Sequence, residues 1–181
     1  SSTSRGLGDV YKRQIPHSGI AATTDLGNPT CIHPARKREV GERLAFLALA
    51  NDYGVTGLPA PAPVYKSMER DGNKLVLTFD NLPVRAQNGV DSFVAFGPEG
   101  YCRPGGFEIA GEDRVFHPAV ANFKYWDNRI EVSSDRVPDP VAVRYAFRNY
   151  CPEANVMTTM GQPLVPFRTD DWPLDDIGRI R

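Results

Sequence analysis

The sequence predicts a short α/β unit followed by an all-β, sandwich-like region, and three observations lead there. Only one stretch carries a helical period, Val40 to Ala48, and it follows a short apolar run and a loop. Beyond residue 63 the hydrophobic period switches to two. Sixteen glycines and sixteen prolines are spread along the 181 residues, cutting the chain into many short elements.

The elements follow in order. Ser1–Gln14 shows no periodicity and reads as a non-native tail, of the kind that translated sequencing-adapter sequence leaves at a gene end. On that reading the native frame enters near Ile15, and the chain is the C-terminal piece of a longer protein. Gly19-Ile20-Ala21-Ala22-Thr23-Thr24 is small, apolar and β-branched at its end, so a buried strand is expected. A loop rich in Gly, Pro, Asn and Thr follows, from Asp25 to Pro34. In the helix after it, Val40, Leu44, Leu47 and Ala48 share one face, while Arg36, Lys37, Arg38, Glu39, Glu42 and Arg43 fall on the others. Pro34 suits the first turn, and Gly54 closes the helix. Strand, loop and helix make one unit of an α/β layer, assigned to residues 15–57.

Three alternate prolines, Pro59, Pro61 and Pro63, mark residues 58–63 as a stiff, extended linker. Residues 64–181 form the β region. Arg70-Asp71-Gly72-Asn73 lies between two alternating runs as a hairpin turn, with Leu75, Leu77 and Phe79 on a buried face. Phe93–Phe96 and Phe107–Ala110 are short strands, and Asp127-Asn128 turns Val120–Tyr125 back on Arg129–Ser133. In the run from Pro140 to Phe147, Val141, Val143, Tyr145 and Phe147 should point inward. About seven short strands with frequent turns fit a β-sandwich.

Composition excludes several function classes. Lys and Arg total 21 against 22 Asp and Glu, so there is no basic excess of the sort that serves nucleic acid. The longest apolar run, Leu44–Ala50, is far short of the ~18 residues of a membrane span. No His-x-x-His, acidic calcium loop or Gly-rich phosphate loop occurs, so neither a metal nor a cofactor is expected. Cys31, Cys102 and Cys151 are widely spaced without a Cys-x-x-Cys pair; a Cys102–Cys151 bridge and three free thiols both remain open.

Of the three histidines, His33 alone sits where chemistry is usually placed, in a loop between an apolar strand and a helix. A histidine with an ordinary pKa of about 6.5 can take and return a proton near neutrality. A loop histidine bonded to backbone is the structural alternative. His117, ahead of Pro118, reads as a surface or hairpin residue, and His17 adjoins the tail. No serine has the Gly-x-Ser-x-Gly context of an activated nucleophile, so a base is visible without its partner.

Several ordered motifs resemble the C-terminal part of the sialate O-acetylesterase family, within the SGNH (GDSL-like) hydrolases. Asp25-Leu26-Gly27, Ile32-His33-Pro34, Lys37, Val40-Gly41 and Arg43-Leu44-Ala45 look like its last catalytic block. Tyr65-Lys66-Ser67-Met68, Gly106–Asp113, Pro140–Ala146 and Pro166–Trp172 resemble its later segments, so the resemblance runs from Ile15 to Pro173. Asp139, just ahead of the Pro140 strand, is a more acidic lead-in than the family pattern has.

The resemblance implies that residues 15–57 are the last strand and helix of an SGNH-type doubly wound domain. It implies a serine esterase acting on O-acetylated sialic acid or related sugars, with His33 as general base. The serine and most oxyanion donors would lie in N-terminal blocks not found here, and family habit points to export or a periplasmic location. Family members commonly carry an aspartate two residues before the histidine, where this chain has Cys31. Asp25 is the candidate to orient the imidazole in its place. Its alternative role is to bond loop backbone N–H groups. Tyr101, Tyr125 and Trp126 could stack on a sugar if exposed, or belong to the core. Arg168 with Asp170 and Asp171 reads as an ion-paired surface, and Trp172 as a pin for the chain end. A non-catalytic carbohydrate-binding or structural β-sandwich is the alternative to the esterase.

Overall fold

The computed structural model describes residues 18–31, 33, 35–82, 93–124 and 127–173. The expectations for Ser1–Gln14, His17, Ile32, Pro34, Tyr125 and Trp126 lie outside the described residues. In chain order the elements are α1 (Lys37–Asn51), β1 (Val64–Asp71), β2 (Lys74–Asp80), β3 (Phe93–Gly97), β4 (Gly100–Tyr101), β5 (Phe107–Ala110), β6 (His117–Pro118), β7 (Val120–Lys124), β8 (Arg129–Ser133), β9 (Ala142–Tyr145), β10 (Val156–Thr158) and β11 (Phe167–Arg168).

The strands form two four-stranded sheets, β1-β2-β8-β7 and β11-β9-β5-β6, and a smaller sheet, β10-β3-β4. Every described pairing is antiparallel. The β1–β2 hairpin forms where expected: Asp71 pairs with Lys74, and Gly72 takes a φ of +60° in the turn, a conformation that costs glycine nothing. Asn128 does the same at +57° between β7 and β8. The alternation on β2 then sends Leu75, Leu77 and Phe79 into the core, with Ile130 and Val132 of β8 beside them. Phe107, Ile109, Val143, Tyr145 and Phe167 approach from the other large sheet, and Phe93 and Val156 from the small one. Burying side chains of this size stabilises the fold by about 1.5–3 kcal/mol each.

Aromatic rings dominate the seam. Phe107 lies 4.7 Å from Tyr145, Tyr65 stacks on Phe167 at 4.9 Å, and Phe79 meets Phe93 edge-on at 5.1 Å. The Tyr145 hydroxyl accepts the Val156 N–H at 3.2 Å, tying the small sheet to the large one. Burial pushes that phenol well above the usual tyrosine range.

Four expectations are corrected. Residues 19–24 form no strand and have no ladder partner among the described residues; only Ala22 is buried. A strand of a parallel sheet needs a neighbour on its edge, and the β region offers none. The helix forms and ends at Asn51, with the left-handed turn at Gly54 (φ +66°) three residues on, but its inward row is Arg43 and Leu47 rather than the whole apolar face. Leu44 is 50% exposed, while Arg43, placed outside by its charge, is buried. On β9 only Val143 and Tyr145 reach the core, because Ala146 turns left-handed (φ +46°) and takes Phe147 out of the alternation. The Arg168–Asp170 pair is not a surface feature. The Asp170 side chain is only 1% exposed and holds Arg144 as well, at 2.8 and 2.9 Å. The faces of Phe116 and Phe147 accept the Arg144 guanidinium, so both charges leave water with partners.

The proline-rich segment bends at Leu58 and Pro61, with the Ala60 N–H donating to Leu58 O at 2.8 Å, and it is pinned to the β region. Ala60 and Ala62 are buried, Asn81 Nδ2 donates to Ala62 O at 3.2 Å, and the Val165 N–H donates to Pro63 O at 3.1 Å. Trp172 holds the chain end as expected, lying 5.7 Å from Phe116 with Arg114 over its ring.

Candidate functional site

The loop bearing His33 is built from short-range bonds. Leu26 N–H closes a turn onto Thr23 O at 3.1 Å. Asn28 Oδ1 accepts from the Thr30 backbone and hydroxyl, both at 2.9 Å. Cys31 Sγ lies 3.4 Å from both His33 N and His33 O. The thiol therefore braces the histidine backbone rather than its imidazole. His33 itself is exposed, as a group that must meet an outside reactant needs to be.

Asp25 is committed elsewhere. Its two carboxylate oxygens accept from Nη1 and Nη2 of Arg43, each at 2.7 Å, in the bidentate geometry that a planar guanidinium matches. Arg43 Nη1 also donates to Ala22 O at 2.7 Å, and Arg36 Nη1 reaches Asp25 O at 3.4 Å. One buried cation on α1 thus ties down both sides of the turn that opens the His33 loop. Gly19 allows the segment to lie against the helix: a Cβ there would come within 3.2 Å of Leu47. The structure brings Asp25 to Arg43, and it brings Cys31 to His33.

Sequence reasoning placed Arg43 on a solvated face and so missed this clamp. Its signal was the four-residue spacing to Leu47, which puts both side chains on one face.

A cleft of about 730 Å³ lies between the stretch from Ile20 to Gly27 and the β region; His33 is not among the residues that line it. One wall is Ile20, Ala22, Thr23, Thr24, Asp25 and Gly27; the other comes from the chain following β9, including Arg148, Tyr150 and Cys151, with Phe96 of β3. The second wall is held in place by close packing at β5: a Cβ on Gly105 would come within 2.6 Å of Glu153 O, and one on Gly106 within 2.9 Å of Ala154 Cα. Asn155 Oδ1 accepts the Gly105 N–H at 2.8 Å. Arg148 Nη2 donates to Glu153 at 3.1 Å. Burial pushes the half-buried Cys151 thiol up, against the pull of Arg148. All three thiols are free, and Cys102 Sγ accepts instead from Asn155 Nδ2 at 3.1 Å. Among the described residues, no three His, Cys, Asp or Glu side chains are grouped to hold a metal, and no helix is long and apolar enough to cross a membrane.

No protein-family model matches the chain, and no curated protein matches it. A solved structure does: that of a carbohydrate acetylesterase from Xanthomonas citri, with a TM-score of 0.78 and 40% identity over 92% of this chain. The chain is related to a carbohydrate esterase. It spans 35% of the length of that acetylesterase.

Proposed function

We propose that this chain is the C-terminal part of a carbohydrate acetylesterase that removes O-acetyl groups from sialic acid or related sugars. Residues 15–57 would be the last strand and helix of an SGNH-type layer, residues 58–63 its connection, and residues 64–181 an accessory sandwich. The observation that carries this reading is the 40% identity to an acetylesterase of which this chain spans 35%, which leaves room for a serine on a segment beyond this chain. The half-buried, small apolar stretch at residues 19–24 and the uncovered side of α1 are the surfaces that such a layer would meet.

In this mechanism the serine Oγ attacks the acetyl carbonyl and the His33 imidazole takes its proton. The imidazole then gives that proton to the sugar oxygen as the ester C–O bond breaks. Water repeats the sequence on the acyl-serine and releases acetate. Asp25 supports the imidazole from a distance, by holding the loop through Arg43.

In the full-length parent, His33→Ala should lower aryl acetate hydrolysis by about 10²–10⁴-fold, the usual worth of a general base. A rate that survives the change would remove His33 from the mechanism. The 181-residue chain alone should not hydrolyse the ester.

The second reading, a non-catalytic carbohydrate-binding or structural module, is favoured by Cys31. It stands where a carboxylate would stabilise an imidazolium, and its hydrogen bonds among the described residues go to the His33 backbone. A parent with no hydrolytic activity on any acetylated sugar would favour that reading.

A further inference from the structure

The β3–β4 hairpin carries two aromatic rings that the core does not use. Phe93 and Ala95 point inward at 3% and 2% exposure, so the strand alternation turns Phe96 outward. Phe96 pairs across the hairpin with Tyr101, their ring centroids 4.7 Å apart and their planes 32° from parallel. Phe96 is 41% exposed and Tyr101 78%. Exposing two large rings side by side forgoes the stabilisation that burial would bring, so their placement asks for a ligand.

Phe96 is also part of the cleft wall, and Tyr101 continues its surface outward to solvent. Tyr150, half exposed, lines the same cleft. We propose that Phe96 and Tyr101 form a stacking subsite for a pyranose ring at the mouth of this cleft, holding a sugar of the substrate chain away from the reacting acetyl group.

The chemistry fits a sugar better than a protein partner. The pair is flanked by polar chain: Glu99 in the turn, Arg103 beyond β4, and Arg148 and Asn149 on the cleft wall. A pyranose has an apolar face of C–H groups for the rings and an equatorial rim of hydroxyls for such neighbours. The charged side chains lining the cleft, Asp25 and Arg148, already face Arg43 and Glu153. The site therefore recognises a ring rather than a charge, whether the ring comes from a neutral glycan or from a sialylated one. The proposal rests on the carbohydrate class proposed above and not on His33.

The test uses the 181-residue chain, titrated by calorimetry and NMR with a neutral β-1,4-linked glucopyranose hexamer and, separately, with sialyllactose. The hexamer should bind, and Tyr101→Ala and Phe96→Ala should each weaken it about tenfold, the scale of one aromatic contact. Tyr101→Phe, which keeps the ring, should bind as the parent chain does. In the unmodified chain the ring protons of Phe96 and Tyr101 should shift on titration, a readout independent of how the variants fold. Sialyllactose should bind no more tightly than the hexamer. Three results would overturn the subsite: no binding of either glycan, binding that both alanine variants retain, or a dimer in sedimentation that buries the pair. Ester hydrolysis belongs to the longer parent, so a failed His33 assignment leaves this result standing, and the reverse also holds.

Discussion

The segment of residues 18–57 and the β region that follows it are organised on opposite terms. In the β region, Leu77, Ile109, Ile130, Val132, Val143 and Tyr145 are wholly buried, and three sheets converge on them. In the helical segment the buried groups are Ala22, Leu26, Leu47 and one arginine, while Leu44, Leu49, Tyr53 and Val55 lie open. Apolar area sets the stability of the first region; the second hangs on the bidentate Arg43–Asp25 pair. A sheet folded onto a second sheet closes its own core. A lone helix cannot, so it uses a directional ion pair instead. The element carrying the candidate base is thereby the one least held by packing.

The same substitution in both regions sharpens this contrast most. Leu77→Ala removes a fully buried side chain and should cost about 3–5 kcal/mol in chemical denaturation. Leu44→Ala, on the open side of α1, should stay within about 0.5 kcal/mol. Equal effects would mean that the two regions do not differ.

The next effect concerns acid. Burial alone would raise the Asp170 carboxyl, but the Arg144 hydrogen bond, with the charges of Arg144 and Arg168, holds it below its usual value. A depressed carboxylate contributes stability that is complete above the unfolded pKa of about 3.9 and fades as pH falls through the lower folded value. Thermal melts of Asp170→Asn should therefore be less stable than the parent chain at pH 7, with the gap narrowing below about pH 4. A gap that persists unchanged in acid would show that Asp170 acts by shape and not by charge.

The smallest effect is local. Asp25→Asn leaves Arg43 buried beside a weaker acceptor. Amide exchange in α1 and the His33 loop should speed up, while protection in β2 and β8 stays near that of the parent chain. Exchange that rises equally throughout would join the two regions into one cooperative unit.

Legibility in the sequence follows the same division. The Gly72 and Asn128 turns and the alternation on β2 were readable because both are local: a left-handed turn needs particular residues, and a strand facing one core must alternate. The Phe147 and Arg168–Asp170 readings failed for a shared reason. Whether a residue at a strand end, or a charged pair, is inside depends on what crosses above it, here Phe116 and Phe147 over Arg144. At the candidate site, His33 and Asp25 were both legible as loop residues beside a helix. Their partners were not: Asp25 meets Arg43 eighteen residues on, and His33 meets Cys31 through backbone. Phe96 was hidden because an aromatic in an apolar strand reads as core until its neighbours Phe93 and Ala95 are seen to occupy that face.

By itself, then, the sequence determined the one helix, the Gly72 and Asn128 hairpins, the alternation on β2 and the histidine ahead of the helix, because each is fixed by neighbours within a few residues. Only the tertiary structure decided which face of α1 turns inward, that residues 19–24 lack a strand partner among the described residues, and that a cleft opens between residues 20–27 and the chain after β9. Those outcomes depend on which surfaces meet, and contacts between residues far apart in the chain leave no period in the sequence to be read.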